Sequence, residues 1–217
     1  MMIERGDFTV VHEPFSYLAE FGEVELPGRR VTSAPDLLTG LRELAAERPV
    51  FVKETTGKRY PEVLCDREFL AQDAVHTFLI RHPRETIASR HQLDPGAAIG
   101  KIGFESQFEV FTEVARLTGR DPVVIDSADL VSRPAAIVRA YCEAAGISYR
   151  PEALSWASGD RAEWELSKGW HAEAATSTGF ARVGREPAVD VERDPVLRGY
   201  LEYHLPFYQE LYSRRLR

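Results

Sequence analysis

Cysteine is nearly absent: Cys65 and Cys142 are the only two in 217 residues, and they form no CxxC pair. That argues against a disulfide scaffold and against a zinc site, and it points to a reducing compartment, the cytoplasm. A basic excess is absent as well. The formal net charge is -7 and the pI about 5.5. Such a chain has no general attraction for nucleic acid or an anionic membrane, so neither is expected as a partner. Any anion site must be a local cluster of Arg and Lys. No apolar run approaches the roughly 20 residues of a membrane span. Met1 to Asp7 lacks a signal-peptide core. Repeats and low-complexity tracts are missing too. What is present is a hydrophobic fraction of 44%, enough for a full core.

Short apolar runs alternate with amphipathic stretches. Phe8–His12, Pro49–Lys53, Val75–Ile80 and Pro122–Asp126 read as strands. Pro35–Glu47 carries Leu37, Leu38, Leu41 and Leu44 at helical spacing. Helices are also expected over Arg84–Gln92 after Pro83, over Phe104–Leu117 before Gly119, and over Ser132–Ala145 with Ser132 as cap. Residues 22–34, rich in Gly, Pro and charge, read as a loop. Met1–Arg5 reads as the last turn of a helix stopped by Gly6. Beyond Pro151 the chain looks helical and aromatic, with Trp156, Trp164 and Trp170. Pro195–Arg217 reads as a closing helix bent or broken near Pro206. The expected class is α/β: a mostly parallel sheet flanked by helices, with residues 151–217 a mainly helical annex to a single domain.

Ligands of parallel α/β sheets bind beyond the carboxyl ends of the strands. Those ends carry His12 and Glu13, then Lys53 and Glu54, then Arg81, His82 and Arg84, then Asp126, Ser127 and Asp129. Cations and a carboxylate at strand ends suit an anion beside a proton acceptor. In Leu79-Ile-Arg-His-Pro-Arg-Glu-Thr-Ile-Ala-Ser89 a strand ends on a guanidinium and Pro83 opens a helix whose free N–H groups favour an anion. Arg is the residue type for two-pronged phosphate recognition, and Ser89 adds a hydroxyl. The competing reading makes Arg81 and Arg84 solvated residues paired with Glu85.

That segment resembles the "L-x-R-x-P-x-D/E-x-x-x-S" stretch of sulfotransferases, which grips the 3′-phosphate of 3′-phosphoadenosine 5′-phosphosulfate (PAPS). Val123–Pro134 with its following helix, Trp170-His171, Ser177–Phe180, Leu205–Tyr208 and Val11–Phe15 resemble further segments of a bacterial group in that family. The resemblance covers nearly the whole chain. It implies a three-layer P-loop NTPase-like sheet, PAPS as co-substrate, no metal, and Arg81 and Ser89 as donor contacts. It also implies sulfuryl transfer to a hydroxyl or amine of a small-molecule acceptor. Glu13 is the expected base, with His12 as substitute, and Lys53 the expected stabiliser of charge on the sulfuryl group. His12 and Glu13 alternate along the chain, so they are expected on opposite faces. The Gly-rich, basic stretch Ser177–Arg185 offers Arg182 and Arg185 as further phosphate contacts, the alternative being an exposed loop. Trp170 is a candidate lining of the acceptor pocket. His91, His171 and His204 show no metal-ligand spacing.

One departure stands out. Sulfotransferases open with a strand, a Gly/Ser/Thr-rich donor loop and a helix, and neither that strand nor that loop is found. Val52–Arg59 imitates a P-loop without its first Gly or final Ser/Thr. Two explanations compete: a start placed at an internal methionine, or a chain that lacks its donor loop. The first is favoured, because a parallel sheet without its central strand exposes two pairing edges. The rival functions are a non-catalytic nucleotide-binding remnant of the fold and a small-molecule kinase-like protein. The kinase needs a P-loop that is absent here.

Overall fold

The structure, a computed structural model, describes residues 1–181 and 189–217. Along the chain run α1 (Met2–Arg5), β1 (Thr9–His12), α2 (Pro14–Phe21), β2 (Val24–Leu26), β3 (Arg29–Val31), α3 (Ala34–Glu47), β4 (Val50–Lys53) and α4 (Pro61–Cys65). A π-helical turn, Phe69–Asp73, precedes β5 (Thr77–Ile80) and α5 (Pro83–Leu93). After a 3₁₀ turn at Ile99–Ile102 come α6 (Phe104–Thr118), β6 (Val123–Asp126), α7 (Ser127–Ser132) and α8 (Pro134–Ala144). Two 3₁₀ stretches, Pro151–Leu154 and Ala162–Trp170, lead to α9 (Ala172–Thr176), and α10 (Pro195–Ser213) closes the chain. No helix among the described residues is long and apolar enough to cross a membrane.

The described strands pair two by two, and the class is mixed α/β with short parallel sheets. β1 runs parallel to β4, with His12 opposite Lys53, and β5 runs parallel to β6, with Ile80 opposite Asp126. β2 and β3 form an antiparallel hairpin. This corrects the loop expected over residues 22–34. The hairpin turns at Pro27-Gly28, where Gly28 takes φ 73, a left-handed conformation that costs glycine little. Its strands are three residues long, too short for alternation to show in the sequence.

The chain divides into two compact units. The first comprises Met1–Thr55, Tyr60–Ala74 and Arg150–Phe180. Its core gathers Val11, Phe15, Val24, Leu26 and Val31 with Leu37, Leu38 and Leu41 of α3. Burying each large aliphatic side chain contributes about 1.5–3 kcal/mol. The α3 helix starts where Ser33 accepts a hydrogen bond from the Asp36 N–H and Pro35 sits in the first turn. Arg42 of α3 then ties the segment after α4. Its Nη2 donates to Asp66 at 2.9 Å, its Nε to Asp73 at 2.7 Å, and its guanidinium lies over the Phe69 ring.

The second unit comprises Thr56–Arg59, Val75–Tyr149 and Ala181–Arg217. Phe78, Ile80, Phe104, Phe111, Val124, Tyr208 and Leu211 form one core cluster. Gly119 ends α6 in a left-handed conformation, as expected. The helix expected over Ser132–Ala145 is α8, and a separate short helix, α7, ends on Ser132 just before it. Pro134 opens α8, and the residue before a proline avoids the helical region, so Arg133 breaks the run at φ -139. Ser132 therefore ends α7 and donates to the Asp129 carbonyl instead of capping α8. The α10 helix is not broken at Pro206 but continues through it to Ser213.

Candidate functional site

In the first unit, β1 and β4 end side by side on His12 and Lys53. The Glu13 N–H donates to the Lys53 carbonyl at 2.6 Å, extending the parallel pairing one residue beyond the strands. Glu13 is then the N-cap of α2, with φ 46 and ψ 44, and it is the one described non-glycine residue with a positive φ. A left-handed glutamate is strained by about 1–3 kcal/mol, and such residues cluster at functional sites. The conformation has a direct geometric effect. The expectation that His12 and Glu13 point to opposite faces fails, because alternation holds only while both residues are extended. Glu13 Oε1 lies 3.8 Å from His12 Nε2 and is ion-paired with Lys53 Nζ. The structure thus brings His12, Glu13 and Lys53 together.

A fourth side chain joins them from far along the sequence. His171, between the 3₁₀ stretch Ala162–Trp170 and α9, sets its Nε2 3.1 Å from His12 Nε2. Its ring stacks on Trp164, with centroids 4.9 Å apart and planes within 18°. Ser167 Oγ lies 3.1 Å from the same His171 Nε2 and 2.7 Å from the Tyr17 hydroxyl. Trp170, proposed from sequence as a pocket residue, is exposed.

Burial and the Lys53 ammonium both disfavour a second positive charge here. They hold His12 down to about 4, with Glu13 opposing, and they lower His171 from its ordinary value for the same two reasons. Both imidazoles are therefore neutral near pH 7.

Glu54, noted at a strand end but given no role, supports the start of α2. Its Oε2 accepts the Phe15 and Ser16 N–H groups at 2.8 and 3.3 Å, and its Oε1 accepts the Thr55 N–H at 2.7 Å. The Phe15 and Ser16 groups are orphan donors of the first helical turn, satisfied by a carboxylate from beyond another strand. Burial pushes the Glu54 carboxyl up, against those three bonds. Ser16 Oγ lies 2.8 Å from both the Thr55 and Tyr60 hydroxyls, fixing the same turn from its other side.

The Arg81–Ser89 stretch belongs to the second unit. β5 ends at Ile80, Arg81 follows, and His82 caps α5 by accepting the Arg84 N–H on Nδ1 at 3.2 Å. Pro83 opens α5, as its fixed φ favours. Arg81 is exposed and its Nε donates to Glu85 at 2.9 Å, the pairing that the competing reading anticipated. Arg84 lies 3.5 Å from Glu192, and Ser89 is exposed on α5. Arg182 and Arg185 lie outside the described residues. Asp126 is buried: Oδ1 caps α7 by accepting the Ala128 and Asp129 N–H groups, and Oδ2 accepts the Tyr208 hydroxyl at 3.1 Å.

His12, Glu13 and His171 place donor atoms within 4.8 Å of one another. Glu13 already carries the Lys53 ammonium and the two Nε2 atoms engage each other, so these residues are not assigned as metal ligands. His171 has no local ligand spacing in the sequence. It lies 159 positions from His12, beyond any local pattern, and only its place in the Trp170-His171 resemblance marked it.

Comparison with known proteins adds three findings. A family model described as "Sulfotransferase domain" matches residues 1–215. The chain is 26% identical over 144 residues to "Branched-chain-amino-acid aminotransferase-like protein 2" of Arabidopsis thaliana. That match covers 65% of this chain but only 25% of the plant protein. No solved structure matches.

Proposed function

The chain belongs to the sulfotransferase-domain family, and on that premise we propose that it transfers a sulfuryl group from PAPS to a hydroxyl or amine of a small-molecule acceptor. The observation that carries this reading is the cluster of Glu13, Lys53 and His12 at the carboxyl ends of two parallel strands. The three-layer P-loop NTPase-like sheet and one sulfotransferase-like domain over the chain are part of the proposal, supported by the parallel pairing of β1 with β4 and β5 with β6.

Arg81 and Ser89 hold the 3′-phosphate of the donor. The Arg81–Glu85 pair joins two half-exposed side chains, and such pairs contribute about 0–1 kcal/mol. A phosphate that offers two oxygens to the guanidinium displaces Glu85 at little cost. In the transfer the acceptor oxygen or nitrogen attacks sulfur. The bond from sulfur to the bridging oxygen breaks, and 3′-phosphoadenosine 5′-phosphate leaves. The acceptor's proton passes to Glu13. Until then Lys53 is paired with that carboxylate. Once Glu13 is protonated, the Lys53 ammonium has lost its partner, and its charge turns to the sulfuryl oxygens and the leaving phosphate. Proton transfer and charge stabilisation are thus coupled through one ion pair.

The test is transfer of radiolabelled sulfate from PAPS to a panel of phenols, alcohols and amines, beside calorimetric titration with 3′-phosphoadenosine 5′-phosphate. Micromolar nucleotide binding with labelled product supports the reading. A folded chain that neither binds the nucleotide nor forms product removes it.

A further inference from the structure

Two imidazoles whose Nε2 atoms lie 3.1 Å apart can hold one N–H between them. Two facing N–H groups repel, and two facing lone pairs make no bond. His171 Nε2 has a second neighbour, Ser167 Oγ, also at 3.1 Å. A ring N–H can be shared between two acceptors, whereas a ring nitrogen has a single lone pair to offer two donors. The arrangement that satisfies every contact puts the proton on His171 Nε2, pointing between Ser167 Oγ and His12 Nε2. His12 then carries its own proton on Nδ1. The His171 ring is held in place by its stack on Trp164, and Ser167 is held by the Tyr17 hydroxyl.

We propose that His171 is the positioning residue of this site: it occupies His12 Nε2, fixes the ring and tautomer of His12, and leaves Glu13 as the group that takes the acceptor's proton. The catalytic part of this statement rests on the sulfuryl-transfer reading, while the tautomer and ring contact do not. The structure holds two candidates for the base side by side, and the contact with His171 decides between them. His12 Nε2 is the nitrogen nearest Glu13 and is already used as an acceptor. Its ring therefore serves as a neutral wall beside the carboxylate. The groups facing His12 are Lys53 at the end of β4, Glu13 at the start of α2, the Tyr17 ring of α2 edge-on at 6.0 Å, and His171 with Glu163 from the segment 162–171. Removing His171 removes one of the groups that disfavour a charge on His12 and opens the ring to water. His12 should then titrate closer to an ordinary histidine.

The experiment is nitrogen-15 and proton NMR of the histidine side chains in the full chain, for wild type, His171→Ala and His171→Gln. In the wild type we expect His12 on the Nδ1–H tautomer and His171 on the Nε2–H tautomer. Acid titration should add a single proton to the pair. His171→Ala should raise the His12 midpoint by about one unit, a tenfold change in its proton affinity. In His171→Gln the side-chain N–H replaces the lost donor and should hold His12 on the Nδ1–H tautomer. With an acceptor in hand, His171→Ala should lower kcat more than it changes KM and shift the acid limb of the pH profile, and His171→Gln should recover part of kcat.

The wild-type spectrum is decisive by itself, so an unfolded variant does not shield the idea. The reverse tautomers, independent titration of the two rings, or a stoichiometric metal between them would overturn the proposal. So would a His12 midpoint unmoved in folded His171→Ala. If the tautomers are as stated but neither nucleotide binding nor transfer is found, the sulfuryl-transfer reading falls while the ring contact stands.

Discussion

The backbone N–H of Glu13 donates to the carbonyl of Lys53 at 2.6 Å, and the two side chains of the same residues form an ion pair. One residue pair is thus fastened twice, and the charge relationship at the site is inherited from the register of a parallel sheet. A slip of β1 against β4 by one residue would dissolve both fastenings at once.

Glu13 is the first target. Glu13→Gln keeps the shape and removes the proton acceptor, so kcat should fall about 10²–10⁴-fold with nucleotide affinity unchanged. Glu13→Gly should lose activity equally while gaining up to about 1 kcal/mol of stability, since glycine takes φ 46 without strain. Thermal melts beside single-turnover transfer would check both. A destabilised glycine variant would show that the carboxylate, ion-paired with Lys53, holds the fold more than it strains it.

Arg81→Ala should weaken binding of 3′-phosphoadenosine 5′-phosphate about 10–100-fold, the worth of a charge-assisted pair of hydrogen bonds. Stability should stay within about 0.5 kcal/mol, because the side chain is exposed. Glu85→Gln frees Arg81 from its helical partner and should tighten the same binding severalfold. Calorimetry at two salt concentrations reads both effects. Unchanged affinity in Arg81→Ala would return the residue to the role of a solvated ion pair.

Tyr208→Phe removes the hydroxyl that donates to Asp126 Oδ2 and leaves a carboxylate oxygen buried without that donor. The expected cost is about 1–3 kcal/mol in urea unfolding. Asp126→Ala loses the cap of α7 as well and should cost more. A neutral Tyr208→Phe would mean that water replaces the phenol.

Stability should depend on acid through His12. Its native value, about 4, lies below the ordinary 6.5. Between those values the unfolded chain binds a proton that the native chain does not. Stability is therefore complete above about pH 6.5 and falls as pH drops towards 4, by up to about 3 kcal/mol. His171 and His204 are lowered too and act in the same direction. Melting curves from pH 7 to 4 should be flatter for His12→Gln. Parallel curves would show that His12 is no more shielded than a surface histidine.

Much of the fold was legible in the sequence wherever a residue type carries a local rule. Ser33 and Pro35 at the start of α3, Pro83 at the start of α5 and the left-handed Gly119 after α6 mark their helices from composition alone. The start of α8 was legible too, since Pro134 suits a first turn and disfavours a helical residue at 133, whereas α7, six residues long, left no periodic signal. The hairpin at Val24–Val31 was not, because each strand is only three residues long. At the site, Glu13, His12 and Lys53 could be named from strand ends, yet their convergence could not. It depends on one positive φ at a residue that rarely takes it. His171 meets His12 from 159 positions away and Ser167 meets Tyr17 from 150, and no local period encodes such meetings.

The grip of Arg42 on both Asp66 and Asp73 works as a length gauge for the stretch between them. Phe69–Asp73 is wound at π rather than α spacing, so it contains a residue that an ordinary turn would not need. Deleting one residue would let the turn relax to α geometry and swing the downstream chain by about 100°. Asp73 would leave Arg42, and buried Leu70 would be turned from the core. Among homologous chains this stretch should therefore vary in letters and hold its number of residues, and a relative that has lost one residue here should have lost the arginine with it.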